Sequence, residues 1–322
     1  METKAVKRKG LYGKVSDMDI HLLRVFRTVV ECGGFSAAEV ELNVGRSAIS
    51  RYMKDLEIRL DLRLCMRGRS GFTLTDHGRV VYDATRQLFL DLERFRTAVN
   101  AAHSRLVGTL TLSLTDDIIT DTNARTSVAL ARFHEIAPDV RIDLNVGSPN
   151  EVERAVIEGR ALVGVVPFHH QLPAVQYFHL YDETQFLYCG AGHDIFHVAD
   201  ADLSVDLIRD QDFVVPGYTL NAKFQALFPD KSPAARTNKI EGVTTLILSG
   251  KYIGFVPEQF AQRWVGENRL RSLLPRSLFF HSPFVAITHK DAQPNLLRDA
   301  FLAELRTAHS RTYREKKGSG LE

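Results

Sequence analysis

Two short helix signatures separated by a tight turn, within residues 35–54, constrain the fold more than any other stretch of the chain. Ser36 and Glu39 stand at the spacing of a capping box, which predicts a helix that begins at Ser36. Phe35 and Val40 flank this box at the spacing of a hydrophobic staple. The Asn-Val-Gly sequence that follows tolerates left-handed backbone and predicts a turn of about three residues. The stretch therefore predicts a helix-turn-helix.

The second helix, expected to begin near Arg46 or Ser47, has an apolar side and a polar side. Apolar residues recur every three or four positions at Ile49, Met53, Leu56 and Leu60. The other side carries hydroxyls and cations, which suit the major groove of DNA, where arginine binds guanine edges and lysine contacts phosphate. An ordinary solvated helix face is the alternative. With one serine of the first helix, the candidate DNA-binding residues are Ser36, Arg46, Ser47, Ser50, Arg51 and Lys54.

The flanking segments favour DNA binding over the alternative. Upstream, residues 19–31 place apolar side chains at helical spacing, with Ser16 or Asp17 available as a cap. Downstream, a segment with two glycines and alternating apolar residues predicts a β-hairpin wing. Arg67 and Arg69 lie at its tip, where they would contact phosphate or a minor groove. Three helices and a basic wing predict a winged helix-turn-helix.

Residues 17–78 resemble the DNA-binding domain of LysR-type transcriptional regulators, and the spacing of that family's pattern is kept without gaps. The matching segments are Met18-Asp19-Ile20, Gly33-Gly34-Phe35-Ser36-Ala37-Ala38, Leu42-Asn43-Val44, Ser47-Ala48-Ile49-Ser50-Arg51, Leu56-Glu57 and Leu74-Thr75. Departures occur at Glu39, Gly45-Arg46, Asp61 and Cys65. The resemblance implies a cytoplasmic regulator whose partners are double-stranded DNA with a two-fold operator, a small polar metabolite as effector, RNA polymerase and a second copy of the chain.

Composition supports a multidomain protein without a membrane segment. The chain has 322 residues, of which 44% are hydrophobic and 25% charged, and no run approaches a membrane span or a signal peptide. Cys32, Cys65 and Cys189 are widely separated, which predicts reduced thiols rather than disulfides or a zinc site. Because Cys189 is the only thiol of the C-terminal half, a two-cysteine switch there is excluded.

Charge is distributed unevenly along the chain. Residues 1–107 carry 19 Lys and Arg against 13 Asp and Glu, whereas the remainder carries 22 against 26. This places the cations at the DNA-binding end. The basic residues 1–15 are expected to form a flexible tail, although a DNA-gripping arm is the alternative. We expect residues 318–322 to be a remnant of cloning.

A long amphipathic helix is predicted over residues 76–104. It contains one glycine near its start and no proline, and its apolar residues recur at threes and fours. At 1.5 Å per residue this helix would be about 40 Å long, and its apolar stripe would be too exposed if the helix stood alone. The stripe therefore needs a partner. The resemblance implies that this linker helix makes a homodimer and that dimers pair into a homotetramer; packing on its own domain is the alternative. The candidate dimerisation residues are Val81, Leu88, Leu92, Phe95 and Val99.

Strands and helices alternate over residues 105–315, which predicts an α/β domain with a parallel sheet. Predicted strands cover 109–114, 140–146 and 161–166, with helices at 122–136 and 150–158, and a second α/β unit follows. Landmarks such as Gly250-Lys251-Tyr252-Ile253-Gly254 resemble the LysR effector domain, whose fold is that of type 2 periplasmic binding proteins. The expected fold class is thus α+β multidomain, with lobe I at about 105–167 and 265–315 and lobe II at about 168–264.

The expected effector cleft lies beyond the carboxyl ends of the predicted strands, where ligands bind in parallel α/β sheets. The candidate residues there are Thr115, Asp116, Ser148, Asn150, His169, His170, Tyr218 and Thr219. Asp116 and its neighbour Asp117 oppose a bound anion, unless they only cap the following helix. We therefore expect a small polar ligand that is neutral or carries an amine as well as any acid group.

An enzyme built on a binding-protein-like fold and carrying a DNA-binding domain is the alternative function. The sequence contains no HExxH, GxSxG, P-loop or correctly placed GxGxxG, so no catalytic residue is assigned. Five histidines gather between residues 169 and 197, but their spacing matches no zinc pattern. We expect neither a metal site nor a cofactor.

Overall fold

The computed structural model describes residues 14–68, 71–102, 106–217 and 231–318. Contacts divide the chain into two units, residues 1–96 and residues 97–322, which are described separately. None of the helices within the described ranges is long and apolar enough to cross a membrane.

The N-terminal unit is the predicted winged helix-turn-helix. Its β-hairpin wing is formed by two antiparallel strands in which Cys65 faces Leu74. Asn43, in left-handed backbone with φ of 51°, makes the turn between the second and third helices. The elements are α1 (Asp17–Glu31), α2 (Phe35–Leu42), α3 (Arg46–Leu60), β1 (Cys65–Gly68), β2 (Gly71–Leu74) and the long α4 (Asp76–Ala102), which continues past this unit.

The capping box predicted at Ser36 is wrong. Gly34 is the N-cap of α2, and Ser36 lies inside the helix with an exposed side chain. The Glu39 carboxylate accepts a hydrogen bond from the backbone N–H of Arg46, so it caps α3 instead of its own helix. The hydrophobic staple is wrong as well, since Val40 is 87% exposed. Glu39 thus fixes the turn by joining its two helices.

A capping box does form at the start of α1, where Ser16 is the N-cap. The Asp19 N–H donates to the Ser16 hydroxyl, and the Asp19 carboxylate accepts from the Ser16 N–H at 2.8 Å. Arg59 of α3 donates to the same carboxylate at 2.5 Å. The Arg59 guanidinium and the Ser16 hydrogen bonds hold the pKa of Asp19 down at about 2. This contact ties α1 to α3 across an otherwise apolar core.

The C-terminal unit is built on a seven-stranded mixed sheet. Its strands run in the order β10-β6-β11-β5-β3-β4, and β9 pairs with β6. β3 is parallel to β4 and β5, whereas β11 is antiparallel to β5 and β6. The strands are β3 (Gly108–Thr115), β4 (Val140–Gly147), β5 (Val163–Pro167), β6 (Val175–Gly190), β7 (Val214–Pro216), β8 (Ala235–Thr237), β9 (Ile253–Pro257), β10 (Leu270–Ser272) and β11 (Phe279–His289), of which β7 and β8 form a separate parallel pair.

Six α-helices and one short 3-10 helix, Ile118–Thr120, are described in this unit beyond α4. The first α-helix begins at Thr126 rather than at the predicted residue 122, because Asp121 accepts a hydrogen bond from the Asn123 N–H at 2.7 Å and holds a turn there. The helices are α5 (Thr126–Ile136), α6 (Pro149–Ile157), α7 (Val205–Arg209), α8 (Ile240–Leu248), α9 (Glu258–Gly266) and α10 (Leu296–Gly318).

Two apolar cores define two lobes, and the long strands β6 and β11 contribute to both. Leu180 and Phe284 pack in the first core, while Leu187 and Phe280 pack in the second. The chain therefore crosses between lobes along β6 and again along β11. Lobe II extends to Phe280, past the boundary predicted near residue 264, because the start of β11 still belongs to the second core. These crossings place the ends of β3 and β5 next to lobe II.

Candidate functional site

The exposed side of α3 is the first candidate site. Ile49, Met53 and Leu56 are fully buried, which fixes how the helix is oriented on its unit. On the other side Arg46, Ser47, Arg51 and Lys54 are exposed, and Ser50 is half-buried. The structure therefore brings five of the predicted DNA-binding residues onto one side of α3.

The remaining predicted DNA contacts belong to α2 and to the wing. Ser36 is exposed on α2, and Arg67 lies on β1 opposite Phe72, whereas Arg69 falls outside the described residues. Sequence reasoning gave no role to Glu57, although its carboxylate accepts from the Leu64 N–H at 2.7 Å and from the Cys65 N–H. Glu57 thus anchors the first strand of the wing to α3.

The apolar stripe of α4 divides into two parts. Val81 and Leu88 pack against the core of the N-terminal unit. Further along, Leu92, Phe95 and Val99 are 41%, 70% and 44% exposed at helical spacing. Such a contiguous apolar strip on a long helix is a surface that a second helix would cover. The dimerisation residues predicted toward the end of the helix are therefore accessible in the single chain.

The second candidate site is a pocket in the C-terminal unit, formed where β3 and β5 end next to lobe II. Its volume, counted together with the space at its mouth that is open to solvent, is about 310 Å³. Residues of both lobes line it, namely Thr115, Asp116, Asp117, Pro149, Pro167, Glu183, Gln185, Asn238, Ile240, Pro257 and Phe284. Its lining residues include three carboxylates and no lysine or arginine.

Burial raises the pKa values of two of these carboxylates, Glu183 and Asp117. Loss of solvent raises the pKa of Glu183 to about 8, and Gln185 offsets this in part by donating a hydrogen bond at 3.1 Å. Burial and the nearby Glu183 carboxylate hold the pKa of Asp117 well above its usual range. Asp117 also has left-handed backbone, with φ of 60°. Strained backbone and perturbed carboxylates in one pocket are typical of ligand sites.

Asp116 has a structural role, unlike its neighbour Asp117. Its carboxylate accepts a hydrogen bond from the backbone N–H of Ile240 at 3.0 Å, and its own N–H donates to the Gly147 carbonyl. It therefore caps α8 of the opposite lobe, and not the helix that follows it in sequence. The polar groups left to contact a ligand are those of Asp117 and Glu183, with Thr115 and Gln185 beside them.

The other predicted effector residues are distributed around the pocket. Ser148 caps α6 and donates to the Glu151 carboxylate at 2.8 Å, while Asn150 is exposed, so Pro149 between them supplies the wall. His169 and His170 contact Glu153 of α6 instead of lining the pocket. Tyr218 and Thr219 fall outside the described residues.

Sequence reasoning placed Asp117 near a bound ligand without making it a candidate residue, and it missed Glu183, Gln185 and Asn238. A signal did exist for two of them, because Glu183 and Gln185 lie on one face of a strand between the apolar residues Tyr181 and Leu187. Polar residues at alternate positions of a buried strand need a specific partner. The sequence predicted this strand only over residues 186–189, whereas β6 begins at Val175 and brings both residues beside Asp117.

Comparisons with known proteins identify both units. Residues 20–79 match the family of bacterial regulatory helix-turn-helix proteins of the lysR type, and residues 103–310 match the LysR substrate binding domain. The HTH-type transcriptional activator BauR of Pseudomonas aeruginosa is 44% identical over 298 residues, which cover 92% of this chain and 98% of the relative. HTH-type transcriptional regulator GltR of Bacillus subtilis is 23% identical, with 90% and 96% covered.

Solved structures show the same fold. The crystal structure of full-length CbnR complexed with its target DNA aligns with a TM-score of 0.61 at 20% identity. The alignment covers 90% of this chain and 99% of CbnR. A further structure, ArgP of Mycobacterium tuberculosis, aligns with a TM-score of 0.56 at 17% identity, with 90% and 96% covered.

Proposed function

The chain belongs to the LysR family of bacterial helix-turn-helix regulators, and we propose that a small amine-bearing effector in its acidic pocket modulates how it binds operator DNA. It is a transcriptional regulator with a DNA-binding domain and a substrate-binding domain. The alternative of an enzyme is set aside, because the relatives are regulators. The observation that carries the effector proposal is a pocket lined by three carboxylates and no lysine or arginine.

Charge decides the chemical class of the effector. At about 4 Å, two unit charges interact by roughly 4 kcal/mol at an effective dielectric constant of 20. Burial raises the pKa of Glu183 and of Asp117, so an ammonium group beside them gains this energy less the cost of removing a proton from the carboxyl group, whereas a bound carboxylate would raise both pKa values further. Thr115, Gln185 and Asn238 supply neutral polar groups for the rest of the ligand. We therefore infer an effector whose cationic end faces Glu183 and whose other end is small and polar.

The position of the pocket supports a regulatory role for its occupant. Thr115 ends a strand of lobe I and Asp117 follows it, and Asn238 and Ile240 belong to lobe II, so a ligand would contact both lobes. The hydrogen bond from the Ile240 N–H to the Asp116 carboxylate also joins the lobes. A ligand that binds one arrangement of the lobes better than another shifts their equilibrium by that difference in affinity.

On the DNA side, the exposed residues of α3 are proposed to enter the major groove. Arg51 would read base edges and Lys54 would contact phosphate, while a dimer held by the exposed strip of α4 would place two copies on a two-fold operator. Wing contacts by Arg67 and Arg69, and a contact with RNA polymerase, stay predictions.

Calorimetric titration with ligands of matched length tests the effector proposal. 1,4-Diaminobutane and 4-aminobutanoate should bind more tightly than succinate, because succinate lacks a cation. Glu183→Gln should weaken the amines at least about tenfold, which is 1.4 kcal/mol. Asp182→Asn is the matched control, since it removes an exposed carboxylate from the next position of the same strand and should leave affinity unchanged. Succinate binding tightest, with indifference to Glu183, would contradict the proposed charge preference.

A further inference from the structure

Outside the pocket, three side chains with metal-binding atoms come together where the chain leaves β5. The Oε1 atom of Glu153, on α6, lies 3.6 Å from the Nε2 atom of His169. The Oε2 atom of the same carboxylate lies 3.9 Å from the Nε2 atom of His170. One ligand atom from each of the three residues falls within 4.8 Å of the others. The side chains of Glu153 and His169 are 6% and 5% exposed, and that of His170 is 34% exposed.

The ring of His169 is oriented by its backbone surroundings. Its Nδ1 lies 3.0 Å from the carbonyl oxygen of Pro167, and a carbonyl only accepts, so Nδ1 carries the proton. The Nε2 atom is then the lone-pair nitrogen, and it faces the Glu153 carboxylate. A hydrogen bond from the far nitrogen to a backbone carbonyl is the arrangement that fixes the tautomer of metal-binding histidines.

The other two groups lack the partners that burial usually requires. The Nδ1 atom of His170 is buried and has no hydrogen-bond partner among the described residues. Glu153 is buried, and its carboxylate lies against the rings of His169 and His170. A buried carboxylate without a cation is costly, and a metal ion is one way to supply that charge.

We propose that Glu153, His169 and His170 form a binding site for one divalent transition-metal ion, with zinc as the best match. Two nitrogens and one carboxylate oxygen are the ligand set of open three-residue zinc sites, in which water takes the fourth position. Ligand atoms about 2.1 Å from a tetrahedral zinc lie about 3.4 Å apart. The separations of 3.6 Å from Oε1 and 3.9 Å from Oε2 exceed this by a few tenths of an ångström, and the full set of ligand atoms, which lies within 4.8 Å, needs side-chain movements of up to about 1.4 Å to close on one ion.

The site goes beyond the proposed effector function but borders its pocket. Pro149 begins the helix that carries Glu153, and Pro167 precedes the two histidines; both prolines line the pocket. An ion at this site would hold two walls of the pocket together. The spacing of the histidines alone predicted no metal site, because the third ligand comes from a helix earlier in the chain.

Cobalt and zinc titrations of the metal-free, full-length protein test the site. Co²⁺ should bind at one equivalent per chain with visible d–d absorption, and Zn²⁺ should displace it. Glu153→Gln and His170→Ala should each weaken Zn²⁺ binding at least about tenfold, since even residues behind the ligands cost 10–100-fold when changed. His179→Ala is the matched control, because His179 is an exposed histidine paired with a carboxylate, as a non-specific surface site would be.

Thermal unfolding supplies a second readout. Zn²⁺ should raise the melting temperature of the wild type and of His179→Ala, but not that of Glu153→Gln. Without metal, Glu153→Gln should fold, because the substitution removes a buried ionisable group. If Glu153→Gln does not fold, His170→Ala tests the site instead, because His170 is partly exposed and its replacement disturbs the core less. Binding of several equivalents with equal affinity in all variants would overturn the proposal, as would full Zn²⁺ affinity in both Glu153→Gln and His170→Ala.

Discussion

Replacing Glu183 by glutamine should change how the stability of the C-terminal unit depends on pH. The folded protein holds a proton on Glu183 up to about pH 8, whereas the unfolded chain releases it near the ordinary value of 4.5. Between these values the folded state binds more protons, so the free energy of unfolding falls as pH rises. Glutamine cannot ionise and keeps the shape of the side chain. The variant should lose this part of the pH dependence.

The size of the effect follows from the pKa shift. Each unit is worth about 1.4 kcal/mol, so this group lowers the free energy of unfolding by about 3 kcal/mol from pH 5 to pH 7 and by about 5 kcal/mol at most. Asp117 acts in the same direction, because burial raises its pKa too. Buried His193 and His309 have lowered pKa values and act in the opposite direction. The two histidines are common to both proteins and largely cancel in the comparison. Asp117 does not, because the Glu183 carboxylate helps to raise its pKa, and the change at Asp117 adds to the loss of pH dependence in the variant.

Urea unfolding, monitored by tryptophan fluorescence, measures this difference in the C-terminal unit. The single tryptophan of the chain, Trp264, is half-buried on α9 and packs beside Phe260 against an apolar cluster that includes Val256 and Leu270. Relative to wild type, Glu183→Gln should gain about 3 kcal/mol between pH 5 and pH 7, while the exposed neighbour variant Asp182→Asn should follow wild type. Parallel pH profiles of wild type and Glu183→Gln would refute the assignment of a buried, protonated carboxylate.

Four further variants test the N-terminal unit and the long helix. Arg51→Ala should cost about 1–3 kcal/mol at the operator and relax sequence preference, whereas Lys54→Ala should weaken all DNA alike and flatten the salt dependence; equal losses on operator and random DNA for both would refute these roles. Leu92→Asp with Phe95→Asp should give monomers in light scattering, because both side chains are exposed in the single chain, and an unchanged oligomer would count against the strip. Asp19→Ala should destabilise the N-terminal unit by about 1–2 kcal/mol at pH 7, and this difference should disappear as pH falls through about 2. Urea unfolding, monitored by circular dichroism, measures the difference. Identical unfolding curves for the variant and the wild type at pH 7 would contradict this prediction.

The N-terminal fold was largely predictable because local signals agree with tertiary packing there. The apolar spacing of Ile49, Met53 and Leu56 gave α3 its buried side, and two glycines gave the wing its turn. The capping partner was not predictable in the same way. Glu39 is at the right spacing for Ser36, but once the chain has turned at Asn43 it is also close to the next helix. Sequence spacing does not distinguish these partners.

The sites of the C-terminal unit were less predictable from sequence than the N-terminal fold. Parallel strands and their helices follow from periodicity, so the ends of β3 and β5 were placed correctly. The long antiparallel strands β6 and β11 pair residues about 100 positions apart, and no local pattern predicts that pairing. Without it, Glu183 is not beside Asp117. Likewise, nothing near His169 in sequence indicates Glu153, because α6 reaches it only through the packing of that helix on the sheet.

Operator binding in the presence of an amine tests the central claim most directly. Fluorescence anisotropy with DNA from upstream of the gene would be measured for wild type, Glu183→Gln and Asp182→Asn, with and without an amine identified by titration. The amine should change the operator affinity of wild type and Asp182→Asn at least about fivefold, the lower end of allosteric coupling near 1 kcal/mol. Glu183→Gln should bind the same DNA without responding to the amine. An equal response in all three proteins would contradict regulation through the acidic pocket.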